Sequence, residues 1–186
     1  MFGGSNLSPE AIRLSMRILP RIKTRLQEVN RVPVSVLLWG PGIKSSSPLV
    51  HLRADIRSKL REKGHACFLS EEIHDPKLPF SARTQELVQA QEFDLVVSIP
   101  CTPGSIAEVH DFASDRRVTA KMLVFLNKQH MKGYSAQSLQ ALSTILTLKI
   151  EYYPSEKELS AIQEITFEHV QRIREMKYLI GGRLYL

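Results

Sequence analysis

Short apolar runs alternate with helix-like segments along this chain, and this alternation constrains the fold more than any other feature. No hairpin turn joins the runs, so the strands that they predict must pair in parallel through helical crossovers. The sequence therefore predicts an α/β protein with an open, doubly wound, five-stranded parallel sheet of Rossmann-like, flavodoxin-like strand order. The five runs are VPVSVLLWG at 32–40, HACFLS at 65–70, FDLVVSIP at 93–100, KMLVFLN at 121–127 and LKIEYY at 148–153.

Helical periodicity predicts the elements between and around these strands. The chain of 186 residues suits one domain, which we divide into an N-terminal helical extension at 1–31, a nucleotide-binding core at 32–154, and a helix and tail at 155–186 that complete the same domain. Helices are expected at 8–29, 50–63, 81–91, 104–114, 135–146 and 155–176.

The first helix is amphipathic. Ser8 is an N-cap candidate, and apolar residues recur on one face at helical spacing. Six basic residues lie between Arg13 and Arg31, opposed over residues 1–32 only by Glu10 and Glu28. The basic face is either simply solvated or binds RNA or a protein partner. The apolar residues are Ile12, Met16, Leu19, Ile22, Leu26 and Val29.

Composition is typical of a globular protein, with 43% hydrophobic and 24% charged residues and a net charge of +6. No apolar run reaches the length of a membrane span, and the N-terminus has no signal-peptide pattern. Cys67 and Cys101 fall at predicted strand ends and are expected to be buried, in a reducing compartment. We therefore expect a cytoplasmic protein without a membrane partner.

Three loops are expected to meet at the carboxyl edge of the sheet, where doubly wound proteins bind ligands. GPGIKSSSP at 40–48 follows the first strand, and Gly40 and Gly42 would let its backbone approach a ligand. It has neither the Walker ending nor a third glycine. SEEIHDP follows the second strand and supplies Glu71, and Asn127 ends the fourth strand. A ligand and a solvated loop are both compatible with Glu71, and Asn127 either binds a ligand or caps a turn.

PCTPGSIAE, at 100–108, is the most specific of the three loops. Gly104 and Ser105 would begin a helix whose first amides favour an anion, and Glu108 would lie in its first turn. A carboxylate there could stabilise or attack an oxocarbenium-like centre, as cleavage of an N-glycosidic bond requires. The alternative is a capping box formed by Ser105 and Glu108.

The same stretch resembles two related families. Pro100, Gly104, Ser105 and Glu108 match the P-x-x-x-G-[ST]-x-x-E element of the Lonely guy phosphoribohydrolases, although Cys101 and Thr102 replace two glycines. GSIAEVHDF is similar to the G-[ST]-x-x-E element of nucleoside 2-deoxyribosyltransferases, in which the matching glutamate is the nucleophile. Pro103 stands where those enzymes often have an aspartate. TPGSIAEVHDFA also resembles deoxyribosyltransferase-like effectors of bacterial anti-phage systems, some of them encoded with retrons.

The resemblance implies a hydrolase or transferase that cleaves the N-glycosidic bond of a nucleoside, nucleotide or NAD through Glu108. It also implies a homo-oligomer. Trp39, at the end of the first strand, either stacks on the base or packs in the core. No metal or cofactor is expected, since no set of ligands converges. The alternatives are a nucleotide-sensing or partner-binding module of a bacterial defence complex, and a structural subunit.

Overall fold

The computed structural model describes residues 8–155 and 157–181, and within these ranges the chain forms eight α-helices and five β-strands. The helices are α1 (Pro9–Val29), α2 (Pro48–Glu62), α3 (Ser70–Ile73), α4 (Ala82–Glu92), α5 (Pro103–Ala113), α6 (Arg116–Thr119), α7 (Tyr134–Ile145) and α8 (Ser160–Leu179). The strands are β1 (Ser35–Trp39), β2 (Ala66–Leu69), β3 (Leu95–Ser98), β4 (Met122–Asn127) and β5 (Lys149–Tyr153).

The strands form one parallel sheet in the order β2-β1-β3-β4-β5. Leu38 of β1 pairs with Leu69 of β2, and Trp39 pairs with Ser98 of β3. The order is that of flavodoxin-like proteins, so the predicted open, doubly wound, five-stranded α/β fold is confirmed. The strand order reverses between β1 and β3, and this position is the topological switch point.

Side chains along each strand alternate between two apolar layers. Val36 and Leu38 of β1 belong to the layer formed with α2 and α8, whereas Leu37 and Trp39 belong to the layer formed with α4, α5 and α7. All residues of β3 and β4 are buried. A sheet covered on both faces explains why the strands are near-continuous apolar runs in the sequence.

The structure differs from the expected elements after β2. Residues 70–73 form the short helix α3, not a polar loop, because Glu72 accepts a hydrogen bond from the Leu69 amide at 2.9 Å and pairs with Arg57 and Arg61 on α2. These partners lie on another element, so the sequence near 70–73 does not reveal them.

Two further expectations were wrong. The last helix begins at Ser160, five residues later than predicted, because a turn closed by a hydrogen bond from the Glu158 amide to the Ser155 carbonyl precedes it. Cys67 is buried on β2 as expected, but Cys101 is exposed, since β3 ends at Ser98.

The N-terminal helix α1 is capped by Ser8, whose hydroxyl accepts a hydrogen bond from the Ala11 amide at 3.2 Å, as predicted. None of its residues is buried, and it contacts α8. Among residues 8–155 and 157–181, no helix is both long enough and apolar enough to cross a bilayer. The end of the C-terminal tail, 182–186, lies outside the described residues.

Candidate functional site

The switch point between β1 and β3 brings together the loops that carry most of the predicted site residues. The segment 40–47 leaves the end of β1 and the segment 99–102 leaves the end of β3, and the two strands are hydrogen-bonded neighbours. The amide of Ile99 donates to the carbonyl of Trp39 at 3.1 Å, which holds the starts of the two loops side by side.

The start of α5 is organised by Thr102 and Ser105. Thr102 is the N-cap, and its hydroxyl accepts from the Ser105 amide at 3.2 Å. The Ser105 hydroxyl accepts in turn from the amides of Cys101, at 3.1 Å, and Thr102, at 3.0 Å. The prediction that Ser105 caps the helix was therefore wrong, because the helix begins at Pro103, one residue before the predicted start, and Thr102 is its N-cap. Gly104 is the second residue of α5.

Glu108 consequently lies in the second turn of α5, not the first, which contains no acidic residue. A capping box between Ser105 and Glu108 is excluded, since Thr102 and Ser105 form the capping box themselves. The Glu108 side chain is exposed and accepts no hydrogen bond from any residue in 8–155 or 157–181. Partial burial raises the pKa of the Glu108 carboxyl above its ordinary value, and the negative charge of Asp111 raises it further.

A second glutamate, Glu86, lies close enough to Glu108 and to Glu71 for the charges of both to act on it. Glu86, which is half-buried on α4, has a raised pKa, chiefly because of its burial and then because of the charges of Glu108 and Glu71. The helices α4 and α5 are linked nearby by an ion pair between Arg83 and Asp111 at 3.3 Å. Sequence reasoning missed Glu86, because only the packing of α4 beside α5 brings it into this group.

Glu71 is held by Arg53, a fully buried arginine of α2. The Arg53 guanidinium donates to both carboxylate oxygens of Glu71, at 3.0 and 2.8 Å, and to the carbonyls of Leu38, at 2.8 Å, and Pro41. Burial alone would raise the pKa of Glu71, but the hydrogen bonds and charge of Arg53 hold it below its ordinary value. Arg53 therefore connects the end of β1, the loop after β1 and α3 through hydrogen bonds.

Arg53 was also missed by sequence reasoning, although the sequence contains a signal. Leu49, Leu52, Ile56 and Leu60 form the buried face of α2, and Arg53 follows Leu49 by four residues on that same face. A charged residue at a core-facing helix position needs a buried partner. That requirement points to a carboxylate such as Glu71 but does not identify it.

Gly40 and Gly42 have different surroundings. A Cβ atom on Gly40 would stand 2.8 Å from Cδ of Arg53 and 3.3 Å from the Ile99 carbonyl oxygen, so this position needs glycine for the close approach of Arg53. A Cβ atom on Gly42 would meet nothing within 4 Å. The Gly42 carbonyl accepts from the Ser45 amide at 2.8 Å and closes a turn.

Trp39 and Asn127 are both buried. The Trp39 ring packs in the core against Phe112, with a centroid distance of 4.8 Å, which corresponds to the core-packing alternative. The Asn127 side chain accepts from the Gln129 amide at 2.9 Å and caps a 3₁₀ turn, Lys128–His130, in agreement with its predicted capping role. Within the described ranges, no group of three or more His, Cys, Asp or Glu side chains is arranged to hold a metal ion.

The class of protein that this architecture defines is a doubly wound α/β protein in which the loops after β1 and β3 meet at the switch point. No protein-family model matches the chain. No curated protein matches it either. Among solved structures, the chain is similar to the CMP N-glycosidase BcmB of Clostridium botulinum, with 19% sequence identity and a TM-score of 0.47 over 72% of this chain and 98% of that one. A similarity of this extent does not bear on activity.

Proposed function

We propose that the protein cleaves the N-glycosidic bond of a nucleoside, a nucleotide or NAD, with Glu108 as the reacting carboxylate. The observation that carries the proposal is the state of the Glu108 side chain, which is exposed and accepts no hydrogen bond from the described residues. The capping box of α5 is formed by Thr102 and Ser105, so Glu108 has no part in capping the helix. The GSxxE resemblance supports the same role.

The chemistry requires one carboxylate oxygen near the anomeric carbon of the sugar. A bond forms between that oxygen and C1′, and the bond from C1′ to the base nitrogen breaks, with its electron pair leaving on the base. The base takes up a proton, and water or a second acceptor then releases the sugar from Glu108. The raised pKa of Glu108 fits this role, since a more basic carboxylate is a better nucleophile once it is ionised.

The sugar and its phosphate would contact the two loops beside Glu108. Gly40, Gly42, Gly104 and Ser105 are the residues that we propose for this binding, and Glu71 would contribute through its position on α3. Asn127 and Trp39 would support this site from the ends of β4 and β1. Which base is recognised, and whether water or another base accepts the sugar, would follow from product analysis.

The decisive experiment is a search for released base. Nucleotides, deoxynucleosides and NAD are incubated with the protein, and free base is measured by chromatography. We expect release by the wild type, a loss of at least about 100-fold in Glu108→Gln, and full activity in Glu168→Gln, which changes an exposed glutamate on α8. Release at the wild-type rate by Glu108→Gln would refute the proposed role of Glu108.

One observation favours the alternative function, a nucleotide-sensing or partner-binding module. The resemblance to defence effectors suggests a module of this kind. The amides of Cys101 and Thr102, which could otherwise grip a phosphate, already donate to Ser105. A module of this kind would bind a nucleotide without turnover. Ligand would then raise the melting temperature with no released base, and Glu108→Gln would bind at least as well as the wild type.

A further inference from the structure

The N-terminal helix α1 has an apolar stripe that the rest of the described chain leaves uncovered. Its members recur at intervals of three or four residues and so form one continuous face. Relative exposures along the stripe are 46% for Ile12, 69% for Met16, 56% for Leu19, 47% for Ile22 and 62% for Leu26. A helix of 21 residues with no buried residue gains little stability from the packing of its own domain.

The opposite face of α1 is strongly basic. Arg13, Arg17, Arg21 and Arg25 recur there at every fourth residue, with the exposed Leu14 among them, whereas Lys23, four residues after Leu19, adds a fifth positive charge on the side of the stripe. Only Glu10 and Glu28 oppose them within the helix, which leaves a net charge of 5 − 2 = +3 over Pro9–Val29. None of these side chains forms an ion pair with the described residues.

The apolar surface continues from α1 towards the end of α8. An open groove of about 300 Å³ lies between Tyr178 of α8 and the Ile22, Leu26 and Val29 side chains of α1, with Arg21 and Arg25 also lining it. Close to Tyr178 in the chain, Met176, Leu179 and Ile180 are 48%, 75% and 45% exposed. The patch is therefore larger than one helix face and is bordered by arginines.

We propose that α1 binds the surface of an anionic lipid bilayer, lying in its interface, which departs from the expectation of no membrane partner that rested on the lack of a spanning segment. A helix with one apolar and one cationic face satisfies both faces there, since the apolar side chains enter the acyl boundary and the cations meet lipid phosphates. A helix that lies on a bilayer does not need the apolar length that crossing one demands, so the lack of a spanning helix in the described ranges does not conflict with this role.

The charge and the exposed apolar side chains of α1 argue against two other partners for this surface, RNA and a second copy of the chain. RNA would use the arginines but would leave the apolar stripe in water. A second copy would cover the stripe but would leave the arginines, which lie on the other side of α1, in water without an anionic partner. An anionic bilayer uses both faces at once. The proposal is independent of the reaction assigned to Glu108.

The test is sedimentation of the full chain with vesicles, either of phosphatidylcholine alone or of phosphatidylcholine mixed with phosphatidylglycerol. We expect binding to the mixed vesicles that weakens at high salt, and little binding to phosphatidylcholine alone. The triple variant Arg13→Gln, Arg17→Gln, Arg21→Gln should bind the mixed vesicles about 100-fold more weakly, from about 1 kcal/mol for each cation.

The double variant Leu19→Glu, Leu26→Glu should not bind the mixed vesicles at low or at high salt. Ile145→Glu is the control and should bind like the wild type, because Ile145 is 80% exposed at the end of α7, away from α1. Circular dichroism confirms that each variant is folded. Three results would each overturn the proposal: no wild-type binding to the mixed vesicles, undiminished binding by the Leu19, Leu26 variant, or a stable dimer in solution that this variant dissociates.

Discussion

The Arg53 guanidinium binds both carboxylate oxygens of Glu71, at 3.0 and 2.8 Å, although the two residues belong to different helices. The Arg53 side chain is 1% exposed and the Glu71 side chain 32%, so the pair lies at the boundary between the core and solvent, at the carboxyl edge of the sheet. It also fixes the backbone at Leu38 and Pro41, where the first loop of the candidate site begins.

Replacing Arg53 by methionine should therefore lower the free energy of unfolding by about 2–3 kcal/mol, because Glu71 and two carbonyls lose a buried donor. Urea denaturation measures this change. Arg172→Met, which breaks the exposed pair with Glu168 on α8, is the control and should cost less than about 0.5 kcal/mol. Equal losses in the two variants would mean that the Arg53 pair contributes no more than a surface ion pair.

The two loop glycines form a matched pair for substitution. Gly40→Ala should destabilise the protein by about 1–3 kcal/mol, since the new Cβ would stand 2.8 Å from Cδ of Arg53. Gly42→Ala should change the stability by less than about 1 kcal/mol, because its Cβ would meet no atom within 4 Å. Thermal denaturation of both variants compares them directly, and equal melting temperatures would contradict the close approach of Arg53 to Gly40.

The ionisation of Glu108 should respond to Asp111. The charge of Asp111 contributes to the raised pKa of Glu108, so Asp111→Asn should lower that pKa. In an NMR titration the Glu108 carboxyl signal should then shift at lower pH than in the wild type. If Glu108 is the nucleophile, the acid limb of the pH–rate profile should move in the same direction, since the ionised form reacts.

Asp55→Asn, on α2, is the control for that titration and should leave the Glu108 signal unchanged. A Glu108 midpoint that stays constant or rises in Asp111→Asn would show that the two carboxylates do not interact. This outcome would leave the role of Glu108 in the reaction to be judged from base release alone.

Stability should fall between neutral and acidic pH because of His65. The ring accepts a hydrogen bond from the Val34 amide at 3.1 Å and lies 2.8 Å from Arg174, and burial followed by the charge of Arg174 lowers the pKa of His65 to about 4. The unfolded chain takes up this proton near its ordinary pKa of about 6.5, so it binds more protons than the folded chain in this range.

The free energy of unfolding should thus decrease, by on the order of 2 kcal/mol, as the pH falls from 6.5 to 4. Urea denaturation across this range measures the decrease. His65→Asn removes the titrating group, so its curve should be flatter than that of the wild type. Parallel curves for the two proteins would show that His65 stays uncharged in both states or titrates equally in both.

Much of the fold was predictable because its signals are local. The strands are apolar runs, since both faces of the sheet are covered, and their parallel pairing follows from the helical crossovers, whereas the order β2-β1-β3-β4-β5 is one of the two common orders for such a sheet. The start of α1 was predictable because Ser8 caps it through its own side chain. The division at 1–31, 32–154 and 155–186, the oligomeric state and the ligand-binding roles stay predictions.

The candidate site was predictable only in part. The switch point places the loops after β1 and β3 together, and both loops were identified from their glycines and from Glu108. The prediction that Glu108 lies in the first turn of α5 was wrong. Thr102 and Ser105 share one capping box, and either hydroxyl could have capped the helix. Neighbouring hydroxyls compete for the same amides, and the pattern of residues does not decide between them.

The order of residues along the chain was sufficient for the parallel sheet, its switch point and the amphipathic character of α1, because periodicity and capping act over a few neighbouring residues. The partner of Arg53, the grouping of Glu71, Glu86 and Glu108, and the burial of His65 against Arg174 required the folded chain. These pairs join residues that are remote in sequence, and their energies depend on burial and distance, which exist only after the helices have packed on the sheet.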